Sequence, residues 1–162
     1  MRLLPIAAAP VLLVLAGCAG AGGPPSRLEL TSTLTGYQAV PGPGDLDGTG
    51  TARLAVDAEA GRVCWTLAAR GIAPATAAHV HRGEAGSVGP PVVSLTAPDA
   101  SERSEGCAPV DAALAQAMIA QPHGFYVNVH NPAYPAGAIR GQMRGEVRRR
   151  EARPPMRPGQ QP

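Results

Sequence analysis

From Arg27 onward, apolar and polar residues alternate in short runs. In "RLELTSTLT", Leu28, Leu30 and Leu34 fall on one side; in "GTARLAVDA", Leu54 and Val56 do; in "GRVCWTLAAR", Val63, Trp65, Leu67 and Ala69 do. A period of two places successive side chains on opposite faces of an extended backbone, so each run predicts a strand with one buried face. The separators carry turn chemistry: "PGPGDLDGTG" after the first run, and "DAEAG", short enough for a hairpin, after the second. Further strands are predicted in "TAAHVHR", "PPVVSL", "GFYVNVH" and "AIRGQMRGEV", where Ile139, Met143 and Val147 share a side. One stretch breaks the alternation. In "PVDAALAQAMIAQP", Val110, Leu114 and Met118 recur at helical spacing after Pro109 and before Pro122, which predicts a short helix. The pattern gives an all-β, antiparallel Greek-key sandwich or barrel of about seven to eight strands, with one short crossover helix. With five aromatic residues in the chain, aliphatic packing must hold the core.

The same counting orients the histidines. In "AAHVHR" it sends Val80 to the core and His79 and His81 to the other face. In "FYVNVHN" it sends Phe125, Val127 and Val129 inward, and Tyr126, Asn128 and His130 outward. If the two strands lie near one another, three imidazoles converge. Imidazole is a common ligand for copper and zinc, and histidines two apart on a strand present their nitrogens without loop entropy. Three histidines would leave an open coordination position. No carboxylate stands at ligand spacing, and no partner orienting each imidazole can be read from the sequence. His123 follows Pro122 and reads as a solvated loop residue.

The ends of the chain bear on compartment. "MRLLPIAAAPVLLVLAGCAGAGG" is one arginine, an uncharged apolar run and then small residues, the anatomy of a secretory signal, and it is short of the roughly 20 residues a spanning helix needs. Its Leu15-Ala16-Gly17-Cys18 resembles the lipobox of bacterial lipoproteins, which implies cleavage before Cys18 and lipidation of its thiol. Two or more acyl chains anchor stably, where one holds marginally. The expected organisation is a signal peptide over 1–17, a linker over 18–26, one domain over 27–147 and a disordered basic tail over 148–162. The location that follows is an exported protein, lipid-anchored to the bacterial cell envelope and facing the periplasm or the exterior. Cys64 and Cys107 are then expected to pair, because exported thiols seldom stay reduced.

Composition removes several function classes. All the basic residues are arginine, five of them in the tail, and once Arg2 is cleaved the chain is near neutral, so nothing favours a nucleic-acid partner. There is no Gly-x-Ser-x-Gly elbow, no His-Glu-x-x-His and no phosphate-cradling glycine loop. The carboxylates gather in turns such as "GDLDG" and "DAEAG", and "DLDG" lacks the distal ligands of a calcium loop.

Four features together resemble the CHRD domain, the module named after chordin. They are "LTGYQAVP" (Leu34 to Pro41), "AAHVHRGEAGSVGPPVV", "FYVNVHNPAYPAGAIRGQM" (Phe125 to Met143) and the cysteine pair. Ala39 and Ala138 stand where many members carry glutamate. The resemblance implies an extracytoplasmic module and singles out Tyr126, Asn128, Tyr134 and Arg140 as its motif face. A fainter resemblance is to Cu/Zn superoxide dismutase, a β-sandwich with a His-Val-His strand, a later Val-His strand and a disulfide. It implies His79, His81 and His130 as copper ligands and Arg140 as an anion-guiding arginine, without the bridging histidine or the zinc cluster of that family. The motif residues also have architectural uses: Asn128 and Asn131 can close turns, Tyr126 and Tyr134 can cover the outer face, and Arg140 can stack on a tyrosine or pair with Glu84 or Glu146. The sequence therefore reads as a lipid-anchored, non-catalytic binding or structural module at the cell envelope, with no catalytic residues assigned and an unknown envelope protein or glycan as partner. The alternative is a copper or zinc protein using His79, His81 and His130.

Overall fold

The computed structural model describes residues 25–146. The signal segment, Cys18 and the basic tail lie outside them, as does Val147. The chain forms nine strands: β1 (Arg27–Thr35), β2 (Thr49–Asp57), β3 (Arg62–Arg70), β4 (Ala77–Arg82), β5 (Pro91–Leu95), β6 (Arg103–Pro109), β7 (Phe125–His130), β8 (Ile139–Gln142) and β9 (Arg144–Glu146). A single α-helix among the described residues, α1 (Ala112–Ala120), joins β6 to β7.

All the pairings are antiparallel, in the order β5-β4-β7-β8-β1-β2-β3-β6, with β9 also on β1. The sheet curls until its two edges meet, where the Ser104 hydroxyl donates to the Thr96 carbonyl just past β5 (2.7 Å). The result is a nearly closed barrel. From β4 the chain passes through β5 and β6 and returns in β7 beside β4, which is a Greek-key path.

The alternation places the core where the sequence expects it. Leu30, Leu34, Leu54, Val56, Val63, Leu67, Val80, Val127, Val129, Ile139 and Met143 are all buried inside the barrel. The β2–β3 hairpin closes over Asp57, whose carboxylate accepts from the Glu59 and Ala60 backbone N–H groups (3.1 and 2.9 Å). Asp111 caps α1 by accepting from the Ala113 N–H (2.7 Å).

Three details depart from the sequence pattern. The strand expected over "AIRGQMRGEV" breaks at Met143, so that β8 lies between β7 and β1 while β9 pairs with β1 alone. The helix turns Ala115, Met118 and Ile119 into the core, leaving Val110 and Leu114 partly buried, because the buried stripe follows the i, i+3, i+4 face from Ala115. Strand β6 is absent from the expected set because none of its residues is buried and it shows no apolar alternation. Cys107 lies directly opposite Cys64 on β3, and the Cys64–Cys107 disulfide ties this edge strand to the sheet from the outer face.

Candidate metal centre

Strands β4 and β7 are direct neighbours, with His79 opposite Asn128, His81 opposite Tyr126, and Ala77 opposite His130. Their shared outer face is not a solvated one. Tyr126, Asn128 and Arg140 are 2%, 5% and 2% exposed, and His81 is 9% exposed. The period of two turns these side chains away from the core, and the loops over 83–90 and 131–138 then fold across them. Arg140 on β8 sends a guanidinium N–H to the Glu84 backbone carbonyl (2.9 Å), not to its carboxylate. Asn128 donates to the Ala136 carbonyl (2.9 Å). Gly137 has a positive φ of 142°, and a Cβ there would strike the Asn128 amide, so the second loop needs glycine to close over it.

Beneath these loops, ligand atoms of His79, His81 and His130 all lie within 4.8 Å of one another. The hydrogen bonds assign their lone pairs. His81 Nδ1 is 2.8 Å from the Gly89 carbonyl and His130 Nδ1 is 3.0 Å from the Pro135 carbonyl. A carbonyl only accepts, so both rings carry a proton on Nδ1, and as neutral imidazoles they keep the lone pair on Nε2. In that tautomer His130 Nε2 accepts from His79 Nδ1 across 3.3 Å. His81 Nε2 is buried and without a hydrogen-bond partner. A buried acceptor left bare is costly, and an ion would satisfy it.

This arrangement has the anatomy of a metal site. Metal-bound imidazoles hand their second nitrogen to a backbone carbonyl or carboxylate, which fixes ring orientation and tautomer, and Gly89 and Pro135 do this for two of the three. Tetrahedral bonds of 2.0–2.1 Å place ligand nitrogens about 3.3 Å apart, the spacing His79 and His130 already have. To offer Nδ1 to an ion, His79 would carry its proton on Nε2 instead, a tautomer change that would release no net proton.

Gly89 holds two parts of the site at once. Its carbonyl takes the His81 proton, while its N–H donates to the Tyr126 hydroxyl (3.1 Å). The Tyr126 ring stacks on His81 at 4.8 Å between centroids and 11° between planes, and the Arg140 guanidinium lies 3.5 Å over the same ring. A Cβ at Gly89 would collide with the Arg82 carbonyl. Burial pulls the pKa of His79 down, helped by His130 and His81. Burial also lowers that of His81, with the Gly89 hydrogen bond opposing and His130 and Arg140 adding to the shift.

A pH dependence follows from these directions. Both imidazoles titrate below about 6.5 in the fold and near it when unfolded, so the unfolded chain takes up protons first as pH falls. Their contribution is complete above about pH 6.5 and is lost as pH drops through the folded values. The metal-free protein is expected to have a lower urea midpoint at about pH 5 than at about pH 8. An equal or higher midpoint at the acid end would contradict the burial of these rings.

Of the other motif residues, Tyr134 sits in the turn after β7, where its N–H meets the Asn131 side chain (2.9 Å), and His123 lies in a 3-10 turn before β7. Neither belongs to the cluster. Sequence reasoning missed Gly89 and Pro135, which act through their backbone; the density of glycine and proline over 83–90 and 131–137 is their only trace in the sequence.

The CHRD domain family model matches residues 30–143, well over half of the chain. The chain belongs to the CHRD family. No curated protein and no solved structure matches it. The CHRD match covers residues 30–143, so it includes the three histidines of the cluster, the two cysteines of the disulfide and both loops that cover the outer face. The disulfide fits an oxidising, extracytoplasmic location.

Proposed function

We propose that this CHRD protein is a non-catalytic metal-binding module at the cell envelope, holding copper or zinc through His79, His81 and His130 and anchored by lipid at Cys18. The observation that carries the reading is the bare, buried Nε2 of His81 facing two further imidazoles, with two of the three rings already oriented by backbone carbonyls. An all-imidazole donor set suits Cu(II) and Zn(II) better than calcium or magnesium, which take oxygen. The expected result is one-to-one binding of Cu(II) or Zn(II) in a calorimetric titration, weakened in each of His79→Ala, His81→Ala and His130→Ala. Weak binding that is unchanged by all three substitutions would sink the reading.

A second reading, an envelope protein or glycan as ligand, is favoured by a groove of about 540 Å³ on the outer face of β2, β3 and β6, lined by Arg53, Thr66, Asp99 and Arg103. It lies away from the histidines. Anchoring has its own test: Cys18→Ser is expected to move the protein from the membrane fraction to the soluble fraction, since the acyl chains supply the membrane affinity. Retention of the variant in the membrane would contradict lipidation at Cys18.

A further inference from the structure

We infer that this site hands its ion on: it is an exchange site, from which an incoming donor ligand draws the metal by first occupying the open coordination position. The inference rests on the metal reading of the three histidines and goes beyond it to the direction of traffic.

The ligand inventory gives the opening. Among the described residues the cluster holds three histidines and no carboxylate or thiol, so a tetrahedral ion keeps one position for an outside ligand. Structural sites, which hold their metal permanently, close all four positions with protein donors. Here the three donors are also unequal. His81 is nearly buried, fixed by Gly89 and stacked on Tyr126. His79 and His130 are half-buried at the outer edge of the cluster. The open position therefore lies on their side.

The metal-free arrangement favours release. The 3.3 Å between His79 and His130 suits both states: it is the spacing of two ligands on one ion, and without the ion it is a hydrogen bond, so the two outer ligands have a satisfied state to return to. Of the three ligand nitrogens, His81 Nε2 is the one left buried and bare. Departure of the ion thus costs one unpaired nitrogen rather than three. In the exchange step a lone pair of the incoming neutral donor forms a bond to the ion at the open position, displacing the ligand from solution, and further donor atoms then replace the bonds to His79 and His130. Once both imidazoles are free and the His79 proton has returned from Nε2 to Nδ1, the two recover their hydrogen bond, and no electron changes hands.

The test uses the purified protein loaded with Zn(II), mixed with a chromophoric pyridylazo chelator under excess chelator. The expected result is a transfer rate constant that rises about tenfold for a tenfold rise in chelator, because the chelator enters the coordination sphere before the ion leaves. Added imidazole, a small nitrogen donor, should accelerate transfer further. A rate independent of chelator and of imidazole would overturn the inference while leaving the site intact, since the ion would then be leaving on its own. Failure to bind zinc one-to-one at the loading step would overturn the site reading itself, and the inference with it.

Discussion

His81→Phe is expected to abolish metal binding while leaving the fold at least as stable as before. His81 is the most buried of the three histidines, and without it His79 and His130 remain as an edge pair with no third nitrogen behind them. Loss of a group that merely orients a ligand typically costs 10–100-fold in affinity, so loss of the ligand should cost about 100-fold or more. Stability should behave differently. Phenylalanine keeps the stack on Tyr126 and removes a buried nitrogen that has no partner in the metal-free protein. The substitution forfeits the hydrogen bond to Gly89, worth about 1 kcal/mol, and is relieved of a desolvated acceptor worth about 1–3 kcal/mol. Denaturant titration should therefore find the variant as stable as the parent or more stable by up to about 2 kcal/mol. A variant that unfolds while the parent stands would show that His81 is there for packing, and that its position beside two other histidines serves the fold.

The second large effect concerns the edge of the barrel. Replacing both Cys64 and Cys107 by alanine is expected to lower the free energy of unfolding by about 4 kcal/mol, the loop-closure value for the 43-residue separation. Strand β6 gives the physical reason for expecting the full amount. None of its residues is buried, and the disulfide lies on the outer face, where removing the sulfurs opens no core cavity. A loss of less than about 1 kcal/mol would mean that β6 is held by its backbone ladder to β3 alone. Metal binding should survive the double substitution, because the disulfide joins β3 to β6, and neither strand carries a histidine of the cluster.

Much of the fold was legible because its strands are half-buried in the simplest way. Leu30, Leu34, Val63 and Val127 repeat at a period of two, and the barrel interior takes them as that period dictates. Strand β6 was not legible, since an edge strand with no buried face leaves no hydrophobic signature; what locates it is the partner of Cys64. The break at Met143 was hidden for another reason. Residues on both sides of it keep the same alternation while changing neighbours.

The site divides in the same way. That His79, His81 and His130 share a face follows from counting, and the adjacency of β4 and β7 brings them together. That the face is buried could not be counted, because it depends on two loops folding over it. The oriented tautomers were out of reach too, because Gly89 and Pro135 contribute carbonyls that every residue possesses. Arg140 illustrates the limit well. Its stack on a tyrosine was foreseeable, but the carboxylate partners its charge suggested are replaced by a backbone oxygen of Glu84.

In the proposed site, three imidazoles of one barrel face close around a single ion, and the X-ray absorption spectrum of the Zn(II)-loaded protein tests this most directly. The expected spectrum has a first shell of nitrogen and oxygen at about 2.0–2.1 Å, with outer-shell scattering from three imidazole rings and one light-atom ligand from solution. A shell of six oxygens, or a spectrum with one imidazole or none, would contradict it.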